Sequence, residues 1–277
     1  MGIARRLMTA VAAVAVAAGT LAGCDWPEGT RYVDVVFDGY EATTGIPYRT
    51  TTTHTGEPIT LHLDVYEPAG DTAEQRPVVM WMFGGAWRAG DRNQLASYAQ
   101  DSARRGYVGV TIDYRIRPEG GDLVGASNDA YEDTLAAIRW LQDHAEELRI
   151  DPDAIVPAGY SAGAINALHA LHRPADTPAA GAVAIAGMLF HAPSPDRGPS
   201  IVFSGTADTV VPHAVSRDQC RQSTDLGSPC RFVAYEGGDH FIALTQAADI
   251  RERTADFVFE TILWPAGYPV EVMAAAG

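Results

Sequence analysis

Three residues in this sequence are of the types, and stand in the settings, that attack on a carbonyl carbon requires. Ser161 is the centre of Gly159-Tyr160-Ser161-Ala162-Gly163, a G-x-S-x-G pentapeptide whose small flanking residues permit a sharp turn that lifts the hydroxyl clear of the chain. A serine hydroxyl is a weak nucleophile until a neighbouring base takes its proton during attack. His240, in Gly237-Gly238-Asp239-His240-Phe241, is that base in our reading, because it follows the last predicted strand. His54, His62, His144, His169, His172, His191 and His213 have no such setting and read as surface or core histidines. The imidazole must itself be held in one tautomer by a carboxylate. Asp208, in Ser204-Gly205-Thr206-Ala207-Asp208, follows a predicted strand and completes the chain order Ser, Asp, His. Asp239 and Glu236 are its rivals, although Asp239 adjoins His240 too directly for an easy side-chain geometry. Asp208 also suits a plain helix cap.

Attack on a carbonyl leaves a negative oxygen that backbone N–H groups must stabilise. Ala162 supplies one such group at a predicted helix N-terminus. Gly84 and Gly85, in Phe83-Gly84-Gly85-Ala86-Trp87, are candidates for the second, since glycine lets backbone approach the reacting atom closely. The bland alternative is a glycine turn anchored by Trp87. No zinc or phosphate-binding motif is present, and the chemistry requires no metal or organic cofactor.

These residues need strands and helices to place them. Tyr32 to Phe37 is the first strand candidate, and the Thr-rich stretch between Gly45-Ile46-Pro47 and Gly56-Glu57-Pro58 reads as a loop or irregular hairpin. Ile59 to Tyr66 alternates apolar with polar residues, the period of a strand with one wet face. Continuous apolar runs follow at Val78–Phe83, Tyr107–Ile112, Ala154–Ala158, Ala182–Ala186, Ser200–Phe203 and Arg231–Tyr235, as expected for strands covered on both faces. Helical spacing falls between them at Gln94–Arg105, Ser127–Leu148 (capped by Ser127 or Asn128), Ala162–Leu171, His213–Leu226 and Phe241–Leu263. Such alternation predicts a mostly parallel α/β sheet with ligands at the carboxyl ends of its strands, where all three chemical residues fall.

With Phe83 to Arg92 (FGGAWRAGDR), GYSAGA from Gly159, Gly205 to Pro212 (GTADTVVP) and Gly237 to His240 in view, the chain resembles α/β-hydrolase esterases that carry an HGG-x-W loop. That group includes small carboxylesterases, feruloyl and acetylxylan esterases, and arylformamidases. The resemblance covers roughly Leu61 to Leu263. It implies an α/β-hydrolase fold with an eight-stranded, mostly parallel sheet and helices on both faces, and hydrolysis of carboxylic esters through an acyl-enzyme. Phe83 departs from the pattern, for the family has histidine there as a brace for the oxyanion loop. Only Gly187 to Pro199 joins two of the predicted strands where large lids are commonly inserted, so we expect a minimal lid and an open site for short acyl groups or esters on larger molecules. An amidase or arylformamidase is the alternative within the family. A ligand-binding surface protein that has lost catalysis is the alternative outside it.

The rest of the chain sets the surroundings. At 277 residues, 47% of them apolar, one domain over 31–277 accounts for the core. A formal charge of -15 argues against nucleic-acid partners and against a basic membrane-binding patch. Residues 1–23 have the form of a signal peptide, with Arg5 and Arg6 before an Ala/Val-rich run. Leu21-Ala22-Gly23-Cys24 resembles the bacterial lipobox, in which the cysteine is acylated. The expectation is an extracytoplasmic protein, anchored to the bacterial cell membrane through lipid on Cys24, with 24–30 as a tether; an ordinary cleaved leader and secretion is the alternative. Cys220 and Cys230 would then meet an oxidising compartment and pair, closing a short loop worth about 2 to 3 kcal/mol, unless they stay as buried thiols.

Overall fold

The computed structural model describes residues 26–176 and 179–273. Eight strands form one sheet: β1 (Tyr40–Thr52), β2 (Pro58–Pro68), β3 (Arg76–Met82), β4 (Val108–Ile112), β5 (Ile150–Tyr160), β6 (Ala182–Ile185), β7 (Ser200–Gly205) and β8 (Cys230–Tyr235). Their order is β1-β2-β4-β3-β5-β6-β7-β8. β1 pairs antiparallel with β2, and β2 antiparallel with β4, while every later pairing is parallel. The helices are α1 (Ala96–Arg104), α2 (Leu123–Asp143), α3 (Ala162–His172), α4 (His213–Asp225), α5 (Ile242–Thr245) and α6 (Ala247–Val258).

Five of the six runs predicted to be covered on both faces are so covered; the sixth, Arg231–Tyr235, is the edge strand β8 and is only partly buried. α1 and α6 pack Tyr98, Ala99, Ile250 and Phe257 against one face of the sheet. On the other face α2, α3 and α4 bring Ala130, Ile138, Leu168 and Cys220. Cys220 of α4 and Cys230 at the start of β8 are disulfide-bonded, with Cα atoms 5.3 Å apart.

Three expectations need correction, and one open reading is decided. Tyr32 to Phe37 is not a strand: Val36 and Phe37 donate their N–H groups to the Arg104 carbonyl at the end of α1, and Tyr32 to that of Arg105. With its hydrogen bonds spent there, the segment caps the sheet with buried Tyr32, Val33, Val36 and Phe37. Of the two readings of the Thr-rich stretch, loop or irregular hairpin, the hairpin holds: it is the edge strand β1, which turns back onto β2 with two register shifts. Its β-branched threonines suit a strand, and its register shifts at Thr43/Ile46 and Pro47/Arg49 accommodate Gly45 and Pro47. α2 begins at Leu123, because Asp122 caps it earlier than Ser127 or Asn128 by accepting from Gly125 N–H at 2.8 Å. The final helix is broken at Gln246 into α5 and α6 and ends in a π turn over Phe259–Leu263.

The leader and Cys24 lie outside the described residues. The tether expected over 24–30 is shorter than its reading, since Trp26 already packs on Phe259 and Trp264, with ring centroids 4.9 and 5.4 Å away. Thr30 is buried and bridged to Val272. An indole and a threonine that find apolar and hydrogen-bonding partners on the domain do not stay extended in water. Among the described residues no helix is long and apolar enough to cross a membrane.

Candidate active site

β5 ends at Tyr160 and α3 starts at Ala162, so the chain reverses at Ser161. The serine takes φ 53° and ψ −116°, a region that costs a non-glycine residue of order 1 to 3 kcal/mol and is kept only where surroundings impose it. Those surroundings are specific. Ser161 N–H donates to the Ile185 carbonyl of β6 at 2.8 Å. α3 packs so closely on β3 that a Cβ at Gly163 would lie 2.1 Å from the Met82 carbonyl oxygen, which excludes any side chain there.

His240 stands in the loop after β8 and Asp208 in the loop after β7, and the structure brings both to Ser161. Ser161 Oγ is 2.9 Å from His240 Nε2, and His240 Nδ1 is 2.8 Å from Asp208 Oδ2. A carboxylate only accepts, so the Nδ1 proton points at Asp208, leaving Nε2 as the acceptor for the serine proton. The Asp208 side chain is fully buried. Its other oxygen accepts from Val210 and Val211 N–H at 2.8 and 2.9 Å, which fixes the orientation of the carboxylate. The two loops are laced to each other: Ala207 N–H donates to the Gly238 carbonyl at 2.9 Å, and Gly237 N–H to Thr206 Oγ1 at 2.8 Å. The rivals do not reach the imidazole. Asp239 is exposed and accepts from Phe241 N–H at 2.8 Å, and Glu236 is exposed.

Tyr160 was not singled out by sequence. Its ring lies 5.3 Å from that of His240; burial, joined by the Asp208 and Asp239 charges, pushes its phenol up to about 12, so it stays neutral beside the imidazole.

The oxyanion candidates separate. Ala162 is the first residue of α3, where an N–H has no intrahelical acceptor. Gly84 N–H, however, is engaged, donating to Gln94 Oε1 at 2.6 Å. Gly84 therefore serves by being small: a Cβ on it would meet the Tyr160 ring at 2.7 Å. Gly85 takes φ 128° and is followed by Ala86 and Trp87 at φ 52° and 56°. Among the described residues, neither Gly85 nor Ala86 N–H has an acceptor, so Gly85 remains a candidate donor and Ala86 joins it. Trp87 is buried, and its Nε1–H donates to Asn166 Oδ1 of α3 at 2.9 Å, tying this loop to the helix that follows Ser161. Asn166 was legible as the one amide in the apolar run Ala162 to Leu171. Nothing in the sequence marked Gln94.

Between β6 and β7, residues 186–199 contain no helix or strand. Phe190 from this segment, half-exposed, packs edge-on to Trp87 at 5.6 Å. Among the described residues no cluster of histidine, cysteine or acidic side chains has a metal-holding arrangement. The buried histidines of α3 belong to the core. Burial, with the neighbouring His191, lowers His169 to about 3 and His172 to about 4.

The chain is similar to known proteins in sequence and in fold. The family described as BD-FAE matches residues 63–177. Carboxylesterase 5A of Homo sapiens is 30% identical over 187 residues, covering 65% of this chain and 28% of that protein. Carboxylesterase 1C of Rattus norvegicus is 37% identical over 111 residues, covering 38% of this chain and 20% of that one. The chain thus spans less than a third of the length of these curated relatives. In solved structures, esterase 2 of Thermogutta terrifontis, phosphorylated by paraoxon, superposes with a TM-score of 0.68 at 25% identity, over 85% of this chain and 97% of the other.

Proposed function

The chain has the α/β-hydrolase fold of its esterase neighbours, and from that premise we propose that it hydrolyses carboxylic esters through an acyl-enzyme on Ser161. The observation that carries this reading is the unbroken hydrogen-bonded series Ser161, His240, Asp208 at the carboxyl ends of three strands. In this mechanism Ser161 Oγ attacks the ester carbonyl as its proton passes to His240 Nε2. Asp208 stabilises the imidazolium. Ala162 N–H and an N–H of the Gly85–Ala86 turn receive the oxyanion. His240 then protonates the departing alcohol, the acyl group stays on Ser161, and water repeats the sequence to release the acid.

The short, helix-free segment after β6 supports an open site and substrates with short acyl groups or esters displayed on larger molecules. The test is labelling with a fluorophosphonate, motivated by the organophosphate-modified neighbour, followed by turnover of p-nitrophenyl acetate, a long-chain triglyceride emulsion and N-formylkynurenine. We expect labelling of the parent, none of Ser161→Ala, and preference for the short ester. Equal labelling of both proteins would remove Ser161 from its role, and faster turnover of the emulsion or the formamide would reassign the substrate.

The same reading includes a lipid anchor at Cys24. Its consequence is an orientation. Trp26 is held on Trp264, which follows α6 and lies at the amino ends of the parallel strands, opposite the site. An anchor two residues before Trp26 would turn the site away from the bilayer, toward soluble or polymer-borne esters. Mass analysis of the membrane fraction for a diacylglyceryl group on Cys24 checks the anchor; a soluble, unacylated mature protein would overturn it.

A further inference from the structure

The loop that offers Gly85 and Ala86 to the oxyanion lacks a histidine at its head, because Phe83 stands there. A phenyl ring makes no hydrogen bond, so the loop must be held by something else. We propose that Gln94 and Tyr114 act as positioning residues that clamp the Phe83–Gly84 peptide unit from both sides and thereby aim the oxyanion donors; this rests on the esterase reading above.

The clamp is visible atom by atom. Tyr114 Oη donates to the Phe83 carbonyl at 2.7 Å, and Gly84 N–H donates to Gln94 Oε1 at 2.6 Å. The C=O and N–H of one trans peptide point in opposite directions. Fixing both stops the unit from rotating, and with it the next N–H in the chain. The Phe83 ring adds a third restraint by stacking on Tyr114, with centroids 4.0 Å apart and planes 8° from parallel. Phe83 therefore replaces a hydrogen-bonding brace with a packing one.

Each clamping residue is itself placed. Gln94 lies in a single 3₁₀ turn, Arg92–Leu95, capped by Asp91, whose side chain accepts from Asn93 N–H at 2.8 Å. The turn is moored by Arg92, paired with Asp64 at 2.8 Å and Asp113 at 2.7 Å. Tyr114 follows Asp113 directly and is buried, so one moored segment sets the position of both clamps. Burial also raises the Tyr114 phenol well above its ordinary range, which keeps it a donor at any pH the enzyme meets.

The test compares Gln94→Leu, which removes the acceptor, Gln94→Glu, which keeps one, and Tyr114→Phe. For each, kcat and KM on p-nitrophenyl acetate, the fluorophosphonate labelling rate, inhibition by a trifluoromethyl ketone and Tm are measured. Gln94→Leu and Tyr114→Phe should each lower kcat, labelling and ketone affinity by about tenfold, the size of one lost hydrogen bond, with KM and Tm near the parent's. Gln94→Glu should recover most of the loss. The double variant should fall less than the product of the singles, because both act on one peptide. Parent-like rates in both single variants, rates that fall only alongside Tm, or equal impairment by Leu and Glu would overturn the proposal. A parent that neither labels nor turns over ester would instead sink the esterase reading. The clamp would then be read by hydrogen exchange at 83–86, expected to quicken in Gln94→Leu and Tyr114→Phe, with unchanged exchange counting against it.

Discussion

The two edges of the central sheet are built from different materials. At the carboxyl edge, short polar loops are joined by hydrogen bonds: Ser161 to His240 to Asp208, Ala207 to Gly238, Gly84 to Gln94, Trp87 to Asn166. Four non-glycine residues there, Ala86, Trp87, Ser161 and Ala186, have positive φ. At the amino edge, Trp26, Tyr32, Tyr107, Phe259, Trp264 and Tyr268 form an aromatic clasp with centroids 4.9 to 6.4 Å apart. Aromatic packing is worth free energy wherever it occurs but directs no proton, whereas each hydrogen bond at the other edge fixes a direction. The division teaches where rate and stability should separate: substitutions at the carboxyl edge should change turnover, and those at the amino edge should change Tm.

The sharpest break is expected at Asp208. Asp208→Asn keeps the size of the side chain but offers Nδ1 a donor or a weaker acceptor, which favours the imidazole tautomer unable to take the serine proton. A loss of kcat on the order of 10⁴-fold is expected, with Tm changed little. Measurement of kcat with p-nitrophenyl acetate beside thermal unfolding checks it. A parent-like rate would mean that the carboxylate is a helix cap and no more.

Phe259→Ala at the amino edge should do the converse. The ring is fully buried between Trp26, Tyr32 and Trp264, so its removal should cost about 3 to 5 kcal/mol of stability. Denaturant unfolding measures that loss, and kcat below the lowered midpoint should match the parent's. A tenfold fall in kcat would show that the edges are coupled through the sheet.

These contrasts also explain what the sequence disclosed. Ser161, Asp208 and His240 were legible because each falls directly after an apolar run, in an order the fold imposes. Six strands were legible from the same runs, five of them covered and the sixth, β8, at the edge of the sheet. β1 was legible only as one of two readings, because an edge strand with one wet face and two register shifts has neither continuous apolarity nor clean alternation. Tyr32 to Phe37 misled because its apolar residues serve a cap whose partners, Arg104 and Arg105, lie some seventy positions away. Gly84 was read as a donor because glycine signals room, while the group that takes its N–H sits in a separate turn. Pairings made across the fold leave no local pattern.

A third prediction concerns His169 and His172, held between the edges on α3. Both are buried as neutral rings, with pKa values lowered to about 3 and about 4. The unfolded chain, with histidines near 6.5, binds more protons than the folded one below that pH, so stability falls as pH drops. From about pH 6.5 down to pH 4, each histidine should remove about 1.4 kcal/mol per pH unit. Urea unfolding at pH 7, 6 and 5 reads the slope, and His172→Asn should flatten it by about half. An unchanged slope would place the acid sensitivity elsewhere.

Trp87 offers the smallest effect and the finest test of the division, because it belongs to the carboxyl edge yet is buried like a residue of the clasp. Its indole donates to Asn166 Oδ1, and Asn166 Nδ2 is buried with no hydrogen-bond partner among the described residues. Trp87→Phe would therefore leave both ends of a buried amide unsatisfied, at a cost of about 1 to 2 kcal/mol. It would also free the Gly85–Ala86 turn from α3 and lower kcat by about fivefold to tenfold. Adding Asn166→Leu removes the stranded amide, so Tm should recover while kcat stays low. If the second substitution restores both, Trp87 acts on turnover only through folding, and the separation between the edges is one of degree. If it restores Tm alone, the indole's bond to α3 aims the loop, and a buried side chain at the carboxyl edge serves direction as well as packing.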